Sequence, residues 1–315
     1  MNIVYETLLA IVISFYPIEQ KVDDTGNIEP IKHFSIDVAN RHPVVCAEVA
    51  KKLDNIIMMN DGYKIEVTAH YIIGDIGNSE VKICVFSVKN KQIKKIVLKT
   101  PFINESNLKK SFSPTLNLKK INKVLFSSVV PETYKVIENF FLKEKLKIYE
   151  VKDAKLQEFI NIKVNKKQVG SDRICNAIAL NNKKNNFIII DFGTATTFDV
   201  VTKDTYKGGI IAPGIKISLN TLSDKATLIP KINLKKINKV IGVDTNSAVR
   251  SGFFWGYAGL IDNIVDLIKK ETGKSFKLVI TGGFSNLYKS SIKTKVIHNK
   301  EITIKGLIKI SKLIR

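Results

Sequence analysis

Residues 187–197 read FIIIDFGTATT, which is a continuous hydrophobic run followed by an Asp-x-Gly turn and a row of small hydroxyl residues. A short apolar run bounded by turn residues is typical of a buried β-strand. Residues 72–79 read IIGDIGNS and follow the same plan about a domain's length earlier in the chain. Two such copies indicate a duplicated nucleotide-binding fold, in which one turn from each copy holds the phosphates from opposite sides.

A third strand pattern ends in two consecutive glycines. Residues 279–281 are Val-Ile-Thr and lead directly into Gly282 and Gly283. A backbone without side chains can approach a flat ligand such as adenosine closely, although an ordinary strand-to-helix turn is the simpler interpretation of this pattern taken alone. Helical patterns at residues 132–145 and 247–270 separate the strands. This alternation predicts an α/β architecture.

Length and motif content narrow the class of nucleotide-binding fold. The 315 residues, 44% hydrophobic and 25% charged, suffice for two domains of roughly 100–200 residues each. The sequence contains neither Gly-x-Gly-x-x-Gly nor a complete Gly-x-x-x-x-Gly-Lys-Ser/Thr motif. The phosphate-binding loops of dinucleotide-binding and P-loop proteins are therefore missing.

Cysteine usage and the start of the chain predict a cytoplasmic protein. The three cysteines, Cys46, Cys84 and Cys175, are far apart and form no CxxC pair. This excludes a disulfide framework and a zinc ribbon and fits a reducing compartment. The apolar residues 8–13 follow no Lys or Arg and are closed by Pro17, too early for a membrane span. We therefore expect no signal peptide and no membrane association.

The formal net charge of +21 raises the question of nucleic-acid binding, because clustered Lys and Arg side chains neutralise phosphates. The lysines are instead scattered along the chain among abundant Asn and Ile, as a codon bias toward A and T would produce, and no Arg-rich block stands out. We therefore do not expect a nucleic-acid partner. A basic surface would still attract anionic small molecules such as ATP.

Near residue 70 the sequence pattern changes to short apolar strands that end in glycine-containing turns. Residues 1–70 form an N-terminal extension with a helical pattern between Asn40 and Gly62, followed by an alternating, strand-like run from Ile65. The sequence assigns no role to this extension. Beyond it we predict two domains, residues 71–185 and residues 186–315.

The first Asp-x-Gly turn has the chemistry of a phosphate site. Asp75 ends an apolar run, and Gly77, Asn78 and Ser79 lead into a second strand pattern. Such a turn presents backbone N–H groups and a hydroxyl to a phosphate, while the carboxylate holds Mg²⁺ through water. A β-hairpin turn with a solvated Asp would look similar. The second copy at Asp191 makes the functional interpretation much stronger.

The stretch GSDR at residues 170–173 opens an apolar helical pattern that runs to Leu180. A helix N-terminus offers unpaired N–H donors, so Asp172 is favourably placed there, and helix capping is its ordinary explanation. Phosphoryl transfer to an alcohol, however, needs a carboxylate that accepts the hydroxyl proton and, for an acidic acceptor, a cation nearby. Asp172 and Arg173 would supply these two groups.

These elements, in this order, resemble type III pantothenate kinases, members of the superfamily of acetate and sugar kinases, heat-shock chaperones and actin. The resemblance runs from Asp75 almost to the end of the chain. Its further motifs are SSVVP at 127–131, GGIIAPGI at 208–215, Asp244-Thr245 with Ser251-Gly252, and ITIKGL at 302–307. The resemblance implies an α/β fold of duplicated actin-like (ribonuclease H-like) domains with a nucleotide cleft between them, plus the N-terminal extension.

The resemblance also implies ATP-dependent phosphorylation of pantothenate to 4′-phosphopantothenate, the first step of coenzyme A biosynthesis. Asp172 would be the base that accepts the proton of the pantothenate hydroxyl, and Asp191 would bind a monovalent cation, K⁺ or NH₄⁺. Thr194 would contact ATP. The ATP phosphates and Mg²⁺ would be held by Asp75, Ile76, Gly77, Asn78, Ser79, Glu80, Val81 and Lys82. The acceptor would be lined by Gly170, Ser171, Asp172, Arg173 and Thr245. The protein would be a homodimer whose acceptor pocket borrows from the partner.

Three positions depart from the family pattern: Ser79 stands where Thr is common, a mild change that keeps the hydroxyl, and the other two lie on the acceptor side. Lys163 stands where the family usually carries a Tyr nine places before the base, and Lys166 interrupts a stretch in which the family carries a Pro. The loss of an aromatic wall concerns the affinity for pantothenate more than the chemistry of ATP.

Two other functions remain open on the sequence. One is an actin-like kinase for a different small alcohol, and the other is a non-catalytic relative acting as a transcriptional accessory factor. The chain contains Asp75, Asp172, Arg173 and Asp191 together. A binding module freed from catalysis has no physical need for these groups, so their presence favours an enzyme.

Overall fold

The computed structural model describes residues 71–87, 91–112, 118 and 121–314, together with the backbone of three short stretches at 12–15, 32–35 and 69–70. The chain divides into two compact units, Met1–Val67 and Thr68–Arg315. In the smaller unit, β1 (Val12–Phe15) pairs antiparallel with β2 (Lys32–Ser35). The helix expected between Asn40 and Gly62 and the first residues of the strand-like run from Ile65 lie outside the described residues.

The larger unit contains two mixed β-sheets. The first sheet has the strand order β5-β4-β3-β6-β7. Strand β4 lies between β3 and β5 and is antiparallel to both, whereas β6 runs parallel to β3 and β7 parallel to β6. The strands are β3 (Ala69–Ile76), β4 (Glu80–Ser87), β5 (Gln92–Lys99), β6 (Lys123–Ser128) and β7 (Ile148–Glu150).

The second sheet has the order β13-β12-β9-β10-β11-β8. Strands β9, β10 and β11 are antiparallel neighbours, β12 is parallel to β9 and β13 is parallel to β12. The strands are β8 (Asn161–Ile162), β9 (Phe187–Phe192), β10 (Ala195–Thr202), β11 (Thr205–Pro213), β12 (Lys277–Gly282) and β13 (Val296–His298).

Helices fill the connections between the strands. The α-helices are α1 (Glu105–Phe112), α2 (Pro131–Lys143), α3 (Ser171–Leu180), α4 (Ile215–Lys225), α5 (Thr245–Thr272), α6 (Ser285–Tyr288) and α7 (Ile302–Ile310). Short 3₁₀ turns lie at Thr100–Phe102, Val151–Asp153, Leu156–Glu158 and Ser311–Leu313. The helices predicted at residues 132–145 and 247–270 are confirmed as α2 and α5, with ends that differ by one or two residues.

The two sheets are copies of one plan. Strands β3 to β7 and strands β9 to β13 have the same order and the same directions. In each copy a helix joins the last two strands, α2 in the first and α6 in the second, and a further helix follows them, α3 and α7. The predicted α/β class and the duplication are therefore confirmed. The assignment of residues 71–185 and 186–315 as domains stays a prediction; β8 lies in the first of these ranges but pairs with β11.

The period of two along each central strand decides which side chains meet. In β3, Ile73 packs into the central core, whereas Ile72 and Ile76 pack into the outer core of the first sheet. Asp75 alternates with Ile76 and so shares the central face of the strand with Ile73. The same alternation in β9 places Asp191 on the central face, next to Ile189. Both carboxylates therefore face the region between the sheets.

The equivalent helices α3 and α7 pack against each other across this region. A side chain at Gly306 of α7 would collide with the backbone of Cys175 in α3, so the two helices touch main chain to main chain. Thr303 donates to Asn176 Oδ1 over 2.8 Å, and the Lys309 ammonium donates to the Ile178 and Ala179 carbonyls over 3.0 and 2.8 Å. These contacts fix the position of α3.

Helix α5 has conventional ends. Asp244 is the N-cap residue and forms a reciprocal capping box with Ser247, and Gly273 ends the helix with a left-handed φ of 62°. The tripeptide Gly273-Lys274-Ser275 therefore closes a helix, whereas the same residues in a P-loop open one.

Within the part of the chain that is described, no helix combines the length and the apolar character needed to cross a membrane.

Candidate active site

The two Asp-x-Gly turns lie face to face. Ser79 in the β3–β4 turn and Thr194 in the β9–β10 turn have their hydroxyl oxygens 3.4 Å apart, although 115 residues separate them in the chain. Both side chains are exposed. The turns themselves are closed by backbone hydrogen bonds from Gly77 N–H to the Glu80 carbonyl (3.0 Å) and from Gly193 N–H to the Ala195 carbonyl (3.1 Å). The hydroxyls therefore line a gap between the two repeats.

Asp75 sits at the end of β3 with one carboxylate oxygen buried. Within the described residues that oxygen, Oδ1, has no hydrogen-bond partner. Burial raises the pKa of Asp75 to about 7; the charge of Asp172 also raises it, while Lys82 and the Ser127 hydroxyl lower it. Lys82 is the residue of β4 that pairs with Asp75. A buried carboxylate oxygen without a partner is a suitable ligand for a hydrated cation.

Asp191 is the equivalent carboxylate of the second repeat. Burial raises its pKa to about 6; Asp172 raises it further, and Lys82 and the Asn176 amide lower it. Gly282 packs against it, since a Cβ at that position would lie 2.5 Å from Asp191 Oδ1, and the φ of Gly282 is +85°. A Cβ on Gly283 would meet no atom closer than 4.0 Å. Gly282 is therefore explained by packing, and only Gly283 borders open space.

Asp172 lies in the first turn of α3. The N-cap residue is Gly170, which has no room for a side chain because Asp172 occupies that space. Asp172 Oδ1 accepts a hydrogen bond of 2.8 Å from the Arg173 backbone N–H. Burial raises the pKa of Asp172, and this hydrogen bond and the charge of Arg173 lower it. The charge of Asp172 raises the pKa of both Asp75 and Asp191, so the three carboxylates lie within electrostatic range of one another.

The residues predicted for the acceptor site lie in unlike environments. Ser171 is fully buried and its hydroxyl donates to the Glu150 carboxylate, with the Ser128 carbonyl at 3.3 Å. Arg173 is close to Asp172, but its guanidinium is bound by another carboxylate. Thr245 is exposed at the start of α5, and no hydrogen bond within the described residues joins it to Asp172. The structure thus groups Gly170 to Arg173 and leaves Thr245 apart.

The sequence interpretation missed the carboxylate that binds Arg173. Asp199 in β10 is fully buried; its Oδ1 lies 2.7 Å from both Nε and Nη2 of Arg173 and accepts a 2.6 Å hydrogen bond from the Tyr206 hydroxyl. A signal was present in the sequence. Asp199 is the one acid in the apolar run from Phe198 to Val201, and an acid in a buried strand requires a partner. Glu150 and Asn176 carried no such signal.

A divalent ion at this site would need the nucleotide as a further ligand. Within the described ranges, no three His, Cys, Asp or Glu side chains are grouped closely enough to hold a metal ion. Mg²⁺ commonly binds one or two carboxylates, several waters and substrate phosphates. The partner-less Oδ1 of Asp75 beside the facing turns fits that mode of binding.

Comparison with known proteins agrees with this arrangement. The crystal structure of a putative 2-dehydro-3-deoxygalactonokinase from Sinorhizobium meliloti superposes with a TM-score of 0.51, covering 77% of this chain and 98% of that chain at 10% sequence identity. The fold is therefore that of the actin-like kinases, in which two repeated α/β units face each other.

The family follows from the sequence. The model of the family described as type III pantothenate kinase matches residues 71–267. The type III pantothenate kinase of Pelagibacter ubique is 62% identical over 246 residues, which are 78% of this chain and 99% of that protein. The one of Caulobacter vibrioides is 38% identical over 204 residues, 62% of this chain and 77% of that protein. The chain belongs to the type III pantothenate kinase family.

Proposed function

We propose that this chain transfers the γ-phosphoryl group of ATP to the primary hydroxyl of pantothenate and so forms 4′-phosphopantothenate, the first step of coenzyme A biosynthesis. The family of the chain supports this reaction. The observation that carries the chemistry is the pair of facing hydroxyl turns, whose Ser79 and Thr194 oxygens lie 3.4 Å apart, with the electrostatically coupled carboxylates Asp75, Asp172 and Asp191 at the same edge of the two repeats. The protein is an enzyme, a phosphotransferase with an alcohol as acceptor.

In this proposal the nucleotide phosphates lie between the two turns. The β3–β4 turn, residues 75–82, binds them through backbone N–H groups, the Ser79 hydroxyl and the Lys82 ammonium, and Thr194 contacts them from the other repeat. Asp75 would hold Mg²⁺ through water with its partner-less oxygen. The bound ion supplies neutralisation of the negative charge on the transferred group. The protein's own contribution is to position and to exclude water.

Asp172 is the base in this proposal. Its carboxylate accepts the proton of the acceptor hydroxyl, so it must be ionised for the reaction to proceed. Burial raises the pKa of Asp172, which makes the carboxylate a better proton acceptor than an exposed Asp. The hydrogen bond from the Arg173 N–H fixes one of its oxygens and leaves the other available to the acceptor.

Asp191 would bind the monovalent cation, K⁺ or NH₄⁺. Burial raises its pKa to about 6, which shows that the charged form lacks compensation in the protein alone. A cation of single charge at the carboxylate would compensate it. The Gly282 backbone packs against the same carboxylate and would restrict the space for the ion.

The acceptor site would consist of Gly170, Ser171, Asp172 and Arg173, completed by Thr245. Because Thr245 is exposed and no hydrogen bond within the described residues joins it to Asp172, we assign it to the acceptor site across a homodimer interface. Exposed apolar side chains support such an interface, since patches of this kind mark association surfaces. They are concentrated between residues 211 and 243: Ile211, Ile217, Leu222, Leu228, Val240, Ile241 and Val243.

Lys163 bears on the affinity for the acceptor. Its backbone N–H donates to the Tyr206 carbonyl over 3.1 Å, and its side chain is exposed. An exposed ammonium would attract the carboxylate of pantothenate but offers no aromatic surface to it.

The cytoplasm is the compartment we propose, because Cys84 and Cys175, the cysteines of the described part, are buried free thiols.

The proposal is tested by measuring ADP release with and without pantothenate, first in K⁺ and then in Na⁺. We expect release that requires pantothenate, requires Mg²⁺ and is faster in K⁺. A panel of other small alcohols is the control for the acceptor. Release driven equally well by another alcohol would overturn pantothenate as substrate, and salt-sensitive DNA binding without any ADP release would overturn the enzyme.

A further inference from the structure

We propose that Asp199 is a positioning residue for the phosphoryl transfer, which acts through Arg173 by fixing its guanidinium beside Asp172. The inference rests on the proposed function, in which Asp172 accepts the proton of the acceptor. It is carried by a buried network that joins a strand of the second repeat to the first turn of α3.

The ion pair is held in one geometry. Asp199 is fully buried and the Arg173 side chain is only 13% exposed. The carboxylate Oδ1 accepts from Nε at 2.7 Å, has Nη2 at 2.7 Å, and accepts from the Tyr206 hydroxyl at 2.6 Å. A free arginine side chain samples many rotamers, and these contacts remove that freedom before any substrate arrives.

The neighbouring strand leaves room for the guanidinium. Strand pairing puts Gly209 of β11 opposite Asp199 of β10. A Cβ at Gly209 would lie 2.5 Å from Arg173 Nη2 and would also collide with the Phe198 carbonyl. The missing side chain at this register position therefore forms the space in which Arg173 meets Asp199.

The orientation leaves part of the guanidinium for a ligand. Asp199 Oδ1 accepts a hydrogen bond from Nε and lies 2.7 Å from Nη2, and Nη2 itself makes no hydrogen bond within the described residues. The backbone N–H of the same residue holds Asp172 Oδ1 at 2.8 Å. One residue thus binds the base through its main chain and an anionic substrate through its side chain, and Asp199 determines where that side chain points.

Stability alone does not account for the pair. Removing two charges from water offsets most of the attraction between them, so a buried ion pair contributes little net stability. Burial raises the pKa of Asp199 to about 7, although Arg173 and Tyr206 lower it. Its second oxygen, Oδ2, has no hydrogen-bond partner in the described part of the chain. The free-energy cost of burying the Asp199 carboxylate thus falls at the position that orients Arg173.

The test compares four variants with the wild type in steady-state kinetics: Asp199→Asn, Arg173→Gln, the double variant and Tyr206→Phe. We expect Asp199→Asn to lower kcat by about 10- to 100-fold and to raise KM for pantothenate, with KM for ATP nearly unchanged. The double variant should be no worse than Arg173→Gln alone, because Asp199 acts only through Arg173. Asp262→Asn is the matched control, since this buried carboxylate binds only the Lys293 N–H in the described part.

The outcomes separate the inference from the proposed function. If the wild type does not phosphorylate pantothenate, the proposed function fails. If the wild type is active and folded Asp199→Asn keeps its kcat and KM, or the two single effects multiply in the double variant, the positioning role is overturned. Should Asp199→Asn fail to fold, Tyr206→Phe decides: a severalfold loss of kcat at constant KM for ATP supports the role, and unchanged kinetics overturn it.

Discussion

The two repeats end their central strands in the same motif but surround its carboxylate differently. At the first repeat, Asp75 pairs in register with Lys82, whereas at the second Asp191 pairs with Thr197. Burial raises the pKa of Asp75 to about 7 and that of Asp191 to about 6. The duplicated backbone therefore supplies two equivalent carboxylate positions, both with a raised pKa, that differ in the side chain paired with them.

The different surroundings of Asp75 and Asp191 indicate how two copies of one fold can bind different charged ligands. The buried Oδ1 of Asp75 has no hydrogen-bond partner in the described part of the chain. Asp191 Oδ1 has the Gly282 backbone packed against it. This difference is compatible with the proposal that the first repeat holds the hydrated divalent ion and the second the monovalent ion.

The largest expected effect comes from the carboxylate that faces both repeats. Asp172→Asn should lower kcat by about 10²- to 10⁴-fold, because the acceptor hydroxyl loses its base, and should leave ATP binding intact. Turnover and ATP titration of the same preparation check this. Asp266→Asn, a change at an exposed carboxylate of α5, is the control. Unchanged turnover would remove Asp172 from the mechanism, and with it the proposed base that couples to the carboxylates of both repeats.

The next effect separates the two repeats directly. Asp75→Asn should raise the Mg²⁺ concentration needed for half-maximal activity by about 10- to 100-fold, since the carboxylate holds the ion through water. Asp191→Asn should instead reduce the activation by K⁺. Titrations of both ions on both variants check the assignment. Equal responses of both variants to both ions would show that the repeats are not specialised.

A smaller effect is expected at the residue that distinguishes the repeats. Lys82→Met should raise KM for ATP by about tenfold, equivalent to roughly 1.4 kcal/mol, because it removes a positive charge near Asp75 and the phosphates. Thr197→Val, the matched change at the second repeat, should have little effect, and Lys207→Met controls for loss of an exposed lysine. A similar KM for ATP in all three variants would contradict a special role of Lys82 at the first repeat.

The last expected effect concerns stability and its dependence on pH, not activity. The pKa of Asp75 rises from 3.8 to about 7 and that of Asp191 from 3.8 to about 6, so the folded protein binds more protons than the unfolded chain in this range. The free energy of unfolding of the ligand-free protein therefore falls as the pH rises from about 4 to 7. Each pKa unit corresponds to about 1.4 kcal/mol.

Asp75→Asn should flatten this dependence more than Asp191→Asn, because the pKa of Asp75 is the more strongly raised. Urea unfolding across the pH window measures both slopes. A wild-type slope that both variants keep would show that neither carboxylate is the source of the pH dependence.

The sequence predicted the features that depend on local pattern. The apolar runs that end at Asp75 and Asp191 identified the central strands within a few residues, because a buried strand, a glycine turn and hydroxyl residues are neighbours in the chain. The GSDR stretch identified the start of α3 for the same reason. Each of these needs only the order of adjacent residues.

Long-range pairing could not be predicted in the same way. The contact between Arg173 and Asp199 joins a helix start to a strand of the second sheet, and that between Ser171 and Glu150 joins it to the edge of the first. Both depend on the strand order, which local patterns do not contain. The role first given to Gly282, close approach to adenosine, was likewise undecided until Asp191 was seen against it.

The equivalence of α3 and α7 has a consequence for stoichiometry. A duplicated scaffold could have presented two acceptor sites, one at the start of each helix. The first turn of α7 carries no acid, and Glu301 just before it is bound to Lys95 at 2.6 Å. In the proposed mechanism the starts of these two equivalent helices therefore offer one proton-accepting position, Asp172, and we expect each polypeptide to bind one acceptor molecule.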